Sequence, residues 1–143
     1  MKRISVAVIL LSMLCLSVFA RGKQPVALKN LPDPVKQEVL KSFQESDIQF
    51  ITVEKKFRNY EYTFMIADGT KAEYDQNGQL SKIENQNGVP EKFLPEAITE
   101  YIKEILPHAV VTEYEKDRIQ KVELNNDMEL VFSKKGKFIR IED

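Results

Sequence analysis

The feature that most constrains the fold of this chain is a single ordered pattern, an amphipathic helix followed by strands of alternating polarity, written twice. Leu31, Val35 and Val39 align with Leu94, Ile98 and Ile102 at a spacing of 63 residues. Phe64, Ile66, Tyr74, Gly78, Ile83 and Glu84 align with Val122, Leu124, Phe132, Gly136, Ile141 and Glu142 at a spacing of 58. The difference of five residues is absorbed around the first strand of each copy. A period near 60 is longer than most solenoid repeats, so the pattern reads as duplication of one supersecondary unit.

Each copy opens on Leu-Pro. Leu31-Pro32-Asp33-Pro34 offers a capping carboxylate and a proline suited to the first helical turn, and Val35, Val39 and Phe43 then fall on one face. After Leu94-Pro95, the residues Ile98, Tyr101, Ile102 and Ile105 form an apolar stripe that Pro107 stops. These signals place helices at about 34–44 and 95–106. The period then changes to two. In the first copy strands are expected at Ile48–Val53, Tyr60–Ile66, Thr70–Tyr74 and Leu80–Glu84, with Asp68-Gly69 and Asn77-Gly78 as tight turns. In the second they are expected at Val110–Tyr114, Ile119–Leu124, Met128–Phe132 and Lys137–Ile141. The fold class is α+β, two tandem modules of a helix and a four-stranded antiparallel meander. The module boundary is expected near Gly88, giving residues 21–88 and 89–143.

Ahead of the first copy, Lys2 and Arg3 precede an apolar run from Ile4 to Val18, and Val18-Phe19-Ala20 places small residues where signal peptidase reads. Residues 1–20 are therefore expected to be a signal peptide, with export to the periplasm or beyond. An uncleaved anchor is the competing reading, but the run is short of the roughly 20 residues of a spanning helix. Cys15 lies within the run and follows the bulky Leu14, which argues against lipidation. With the signal gone no cysteine remains, so neither a disulfide nor a thiolate nucleophile is available. The remaining 123 residues carry 19 basic and 22 acidic side chains, a net charge of −3, without basic runs beyond short pairs. Nucleic acid and, after signal cleavage, membrane are not expected partners on that balance.

No catalytic set, metal site or cofactor site can be assembled. The single histidine, His108, follows Pro107 at a helix end and has no partner of fitting type or spacing. Asp75-Gln76-Asn77-Gly78 superficially suggests a calcium loop, but its glycine comes fourth rather than sixth and a hairpin turn explains it.

The alternation within the strands assigns Tyr60, Tyr62, Phe64, Ala72 and Tyr74 to a core beneath the helix. The opposite face carries Glu61, Thr63, Met65, Lys71, Glu73 and Lys82, with Lys121, Glu123, Glu129, Val131 and Arg140 as second-copy counterparts. If the two sheets run side by side, these residues make a broad mixed-charge platform without a deep cavity. Such a surface suits a protein or peptide better than a small metabolite.

The tandem pattern, with Tyr60-Glu61-Tyr62-Thr63-Phe64, Asp75-Gln76-Asn77-Gly78-Gln79-Leu80 and Ile83-Glu84, resembles the PepSY-like family of beta-lactamase-inhibitor-like proteins over essentially the whole mature chain. That resemblance implies a small exported bacterial protein whose modules pack a helix on an antiparallel sheet, as in the beta-lactamase inhibitor protein. It also implies an association with restraint of secreted enzymes. The expected function is an exported non-catalytic binding module, an inhibitor or regulator of an envelope or secreted enzyme, with a periplasmic small-ligand carrier as the alternative and an enzyme as a distant third.

Overall fold

The computed structural model describes residues 22–142, so the expected signal peptide and Cys15 lie outside the described residues. Among these residues nine strands join in one antiparallel sheet whose spatial order follows the chain. The strands are β1 (Lys23–Pro25), β2 (Ile48–Lys55), β3 (Tyr60–Ile66), β4 (Lys71–Asp75), β5 (Leu80–Glu84), β6 (Val111–Lys116), β7 (Gln120–Leu124), β8 (Glu129–Phe132) and β9 (Phe138–Glu142). Helix α1 (Asp33–Ser42) lies between β1 and β2, and α2 (Glu96–Ile105) between β5 and β6.

Both helices start and stop where local chemistry dictates. Pro32 and Pro95 occupy the N-cap positions, where no amide hydrogen is required. Asp33 makes no side-chain cap hydrogen bond, contrary to expectation; it is instead the first helical residue, where its carboxylate faces the positive end of the helix dipole. α1 ends at Ser42 because Phe43 turns to extended backbone, although the Phe43 amide still donates to the Val39 carbonyl. Leu106 leaves α2 immediately ahead of Pro107, the residue that disfavours helical backbone before it. Strand β1 had no signature in the sequence: three residues without alternation pair with Thr52–Glu54 of β2.

Continuous pairing makes one core. Ile51, Phe64, Ala72, Ile83, Tyr114, Val122, Leu130 and Ile141 stand directly opposite one another from β2 through to β9. Val35 and Val39 of α1 and Ile98 and Ile102 of α2 bury against this face, in a single cluster with Phe64, Ile83 and Leu130. Tyr101 of α2 stacks on Phe138 at 4.8 Å and meets the Phe132 ring edge-on at 5.5 Å. Phe43 and Phe93 stack at 5.4 Å beyond the ends of the helical segments, and the Lys92 ammonium donates across to the Ser42 carbonyl at 2.9 Å.

Where the halves of the sheet meet, β5 and β6 share three paired positions. Asn85 secures the chain just beyond them: its side-chain amide donates to the Thr70 hydroxyl at 2.9 Å and its backbone amide to the Thr112 carbonyl at 2.9 Å. Buried and fully partnered, it holds the exit of β5 against both halves.

Candidate functional site

Since both helices pack on one face, the other face of the sheet is uncovered among the described residues, and pairing orders its side chains into rows. One row runs Phe50, Met65, Lys71, Glu84, Glu113, Glu123, Glu129, Glu142 from β2 to β9. Its neighbour runs Thr52, Thr63, Glu73, Lys82, Glu115, Lys121, Val131, Arg140 over the same strands. Glu61 belongs to a third, shorter row, between Glu54 and Asp75. All eleven residues read from alternation as one face therefore stand on one continuous surface.

Five adjacent strands thus set five glutamates directly opposite one another, an arrangement that is repulsive unless cations intervene. Lys82, Lys121 and Arg140 of the neighbouring row supply them, together with Lys71 at the head of the glutamates' own row. Lys82 reaches Glu113 at 2.7 Å and Glu84 at 3.1 Å, and Lys71 spans Glu73 at 3.1 Å and Glu84 at 3.6 Å. Further along, Lys121 bridges Glu129 at 2.7 Å and Glu142 at 3.2 Å, and Arg140 also pairs with Glu142. At the β2 side Lys56 joins Glu54 and Glu61.

The network divides its charge unevenly. Partial burial works to raise the Glu84 carboxyl, but Lys82 and Lys71 together hold it below the usual value. Glu113 is raised above the usual value by burial, and Glu84 and Glu123 add to the shift while Lys82 opposes it. Burial works against the Lys82 ammonium, yet the two carboxylates it bridges raise its pKa strongly. The two ends of the Lys82–Glu113 pair differ because Lys82 has two anions at hand, whereas Glu113 has one cation between two like charges. On the opposite face burial pushes the Tyr74 and Tyr114 hydroxyls up to about 12, and the Tyr114 hydroxyl donates to the Gln120 side chain at 2.6 Å.

Two of the expected platform residues are not exposed. Thr63 is 5% accessible and Val131 is 0%. Val131 stands between Lys121 and Arg140, whose charged ends reach carboxylates; side chains of this length can lay their stems over a neighbouring apolar residue. Pattern reading missed Glu84, Glu113, Glu115 and Glu142, all on the same face; extending period-two alternation across a single sheet would have found them. Phe50, 57% exposed beside Met65, was also missed, because Gln49 is an extra residue in β2 that shifts the alternation.

On the helical face a cleft of about 470 Å³ opens between the halves, lined by Glu38, Leu80, Phe93, Leu94, Tyr114 and Lys116 among others. His108 is exposed, and among the described residues no three His, Cys, Asp or Glu side chains are grouped to hold a metal ion. No helix among them is long and apolar enough to cross a membrane.

A family described as "putative beta-lactamase-inhibitor-like, PepSY-like" matches residues 19–64 and 60–140. No curated protein matches the chain. Among solved structures, a "putative calcium-regulated periplasmic protein" of Bacteroides thetaiotaomicron is 27% identical, covering 85% of this chain and 97% of its own with a TM-score of 0.76. A "putative periplasmic protein of unknown function" of Bacteroides vulgatus is 26% identical, covering 85% and 100% with a TM-score of 0.77. A second protein of that organism, from the DUF2874 family, shares the fold at 23% identity and a TM-score of 0.77, covering 87% and 99%. These neighbours agree with an address in the periplasm or beyond.

Proposed function

We propose that this chain, which belongs to the family described as "putative beta-lactamase-inhibitor-like, PepSY-like", is a non-catalytic binding module that regulates an envelope or secreted enzyme by covering it with the uncovered face of its sheet. The observation that carries this reading is the face itself: eight strands broad, free of helices among the described residues, and lined with charged side chains held in defined positions by cross-strand ion pairs. Ordered charges of alternating sign favour one partner in one register over others. The family's inhibitor-like description supports a protein partner over a metabolite.

The two halves are best read as copies of one unit, helix then four-stranded meander, as in the beta-lactamase inhibitor protein. Their irregularities repeat along with their regularities. Gln49 in β2 and Thr112 in β6 are extra residues at a spacing of 63, and Ser81 in β5 and Ile139 in β9 at 58. Bulges belong to a backbone rather than to composition, so their recurrence at the spacings of the core supports duplication.

Affinity purification from the envelope with the wild-type chain and with a Glu73→Ala, Lys82→Ala variant tests the assignment. A partner recovered reproducibly by the first and lost by the second is expected; a partner retained equally by both removes the sheet face from consideration. The 470 Å³ cleft favours a second reading, a small-ligand carrier, since its volume is within the range of ligand sites. Native mass spectrometry of protein purified from cells would show a bound small molecule on that reading and the bare chain on the first.

A further inference from the structure

Alternate turns of a meander fall at the same end of a sheet, and here that end collects the positive charge. The β2–β3 tip carries Lys55, Lys56 and Arg58; the β6–β7 tip Lys116 and Arg118 around Asp117; the β8–β9 tip Lys134, Lys135 and Lys137. All of these are exposed. The intervening β4–β5 tip, Asp75–Gln79, carries no cation, and its one carboxylate, Asp75, accepts from the Asn77 and Gln79 amides of the turn. Counting the last residue of each strand with the turn that follows it, eight basic residues against two acidic, Asp75 and Asp117, sit at this end of a chain with a net charge of −1. At the other end, the turns Ala67–Thr70 and Asn125–Met128 hold Asp68 and Asp127 and no cation.

The tips form one rim. The Tyr60 amide donates to the Gln76 side chain at 3.4 Å, Asn77 and Gln79 line one cleft with Lys116, and the Gln120 amide donates to the Lys134 carbonyl at 3.2 Å. Lys56 is held by Glu54, but the other seven cations have no ion-pair partner among the described residues. Phe57 stands at the crest of the β2–β3 tip, 93% exposed, with the Arg58 guanidinium over its ring at 5.4 Å. It is a central residue of a turn closed by the Lys56 amide on the Asn59 carbonyl at 2.8 Å, a position that ordinarily takes Gly, Asn, Asp or Pro. Among the described residues its ring joins neither the core nor an aromatic pair.

We propose that this rim docks the protein on an anionic phospholipid surface, with the cations over headgroup phosphates and Phe57 inserted at the acyl boundary. A bare aromatic crest flanked by cations suits a deformable interface better than a rigid protein surface, and binding of this kind combines apolar insertion with attraction to anionic lipid. Of the rim's cations only Lys56 also enters the sheet-face network, through Glu54 and Glu61, and it is left unchanged in the variants below, so either reading can fail alone.

Co-sedimentation of the exported protein tests the proposal, using vesicles of equal parts phosphatidylglycerol and phosphatidylethanolamine against vesicles of phosphatidylcholine alone. Binding to the first only, weakening as salt rises, is expected. The variants Lys55→Glu, Arg58→Glu and Lys134→Glu, Lys135→Glu, Lys137→Glu should each weaken it by at least about tenfold, given the contribution of each basic residue at an anionic surface. Phe57→Ser should weaken it several-fold while leaving the salt dependence intact. The residues before Gly22 are identical in all variants, so any contribution of theirs cancels, and circular dichroism checks that each variant is folded. No binding to anionic vesicles, equal binding to neutral ones, or indifference to the charge reversals overturns the proposal. Salt-sensitive binding to polyglutamate without vesicle binding overturns it in favour of an acidic protein partner.

Discussion

At the scale of single residues, position within the rows decides what a substitution does. Glu113 has a raised pKa in the folded chain, so its ionisation disfavours folding as pH rises past about 4.5. Glu84 has a lowered one, so its ionisation favours folding above about 4.5, and that stability is lost as pH falls through the folded value. Glu113→Gln should therefore stabilise the protein at neutral pH and Glu84→Gln destabilise it, each by less than about 1 kcal/mol because both groups are partly solvated. Both differences should vanish in acid, where the wild-type carboxyls are protonated too; denaturant unfolding across pH measures this. Phe64, fully buried, should cost about 3–5 kcal/mol when cut to Ala. The turn glycines give a graded test. A Cβ on Gly78, where φ is +79°, would lie 2.5 Å from the Pro34 carbonyl oxygen at the start of α1; on Gly136, where φ is +82°, it would lie 3.1 Å from the Ala97 Cβ of α2. Both Ala variants bear the left-handed backbone cost of about 1–2 kcal/mol, and Gly78→Ala should lose clearly more, since its clash is with backbone.

At the scale of elements, the seam between β5 and β6 is the informative place. Only three positions pair there, yet Ile83 and Tyr114 carry the core row from one half to the other. Ile83→Ala should cost about 2–5 kcal/mol. If the row is one mechanical unit, amides of β3 and of β7 lose hydrogen-exchange protection together; loss confined to β3–β5 would show that the halves open separately. Helix boundaries were legible because prolines write them: the expected 34–44 and 95–106 became 33–42 and 96–105. The strands were legible because alternation survives in β4 and β7, with one inward and one outward residue at each step. β1 was not, because its hydrogen bonds to β2 depend on where the chain lies and not on which side chains it bears.

For the whole molecule, one core beneath one sheet implies one transition. Far-ultraviolet dichroism and the near-ultraviolet tyrosine signal should report the same thermal midpoint, and separated midpoints would divide the chain into two units. Joining the sheets also creates surfaces that neither half has alone. The row of glutamates from β5 to β9 draws on both halves, and so does the cleft lined by Leu80 and Tyr114.

Sequence alone determined the two helices, eight of the nine strands among the described residues, the face of part of their side chains and the likeness to a family, because these follow from local periodicity and turn chemistry. It could not determine how charge is distributed. A net charge near zero says nothing about a rim whose cations come from three hairpins up to 82 residues apart in the chain, from Lys55 to Lys137. Nor could it show that Val131, alternating outward between Lys121 and Arg140, is fully buried, or that Glu113 faces carboxylates on both sides. Those are facts of strand order and register, set by long-range pairing, and only the tertiary structure decides them.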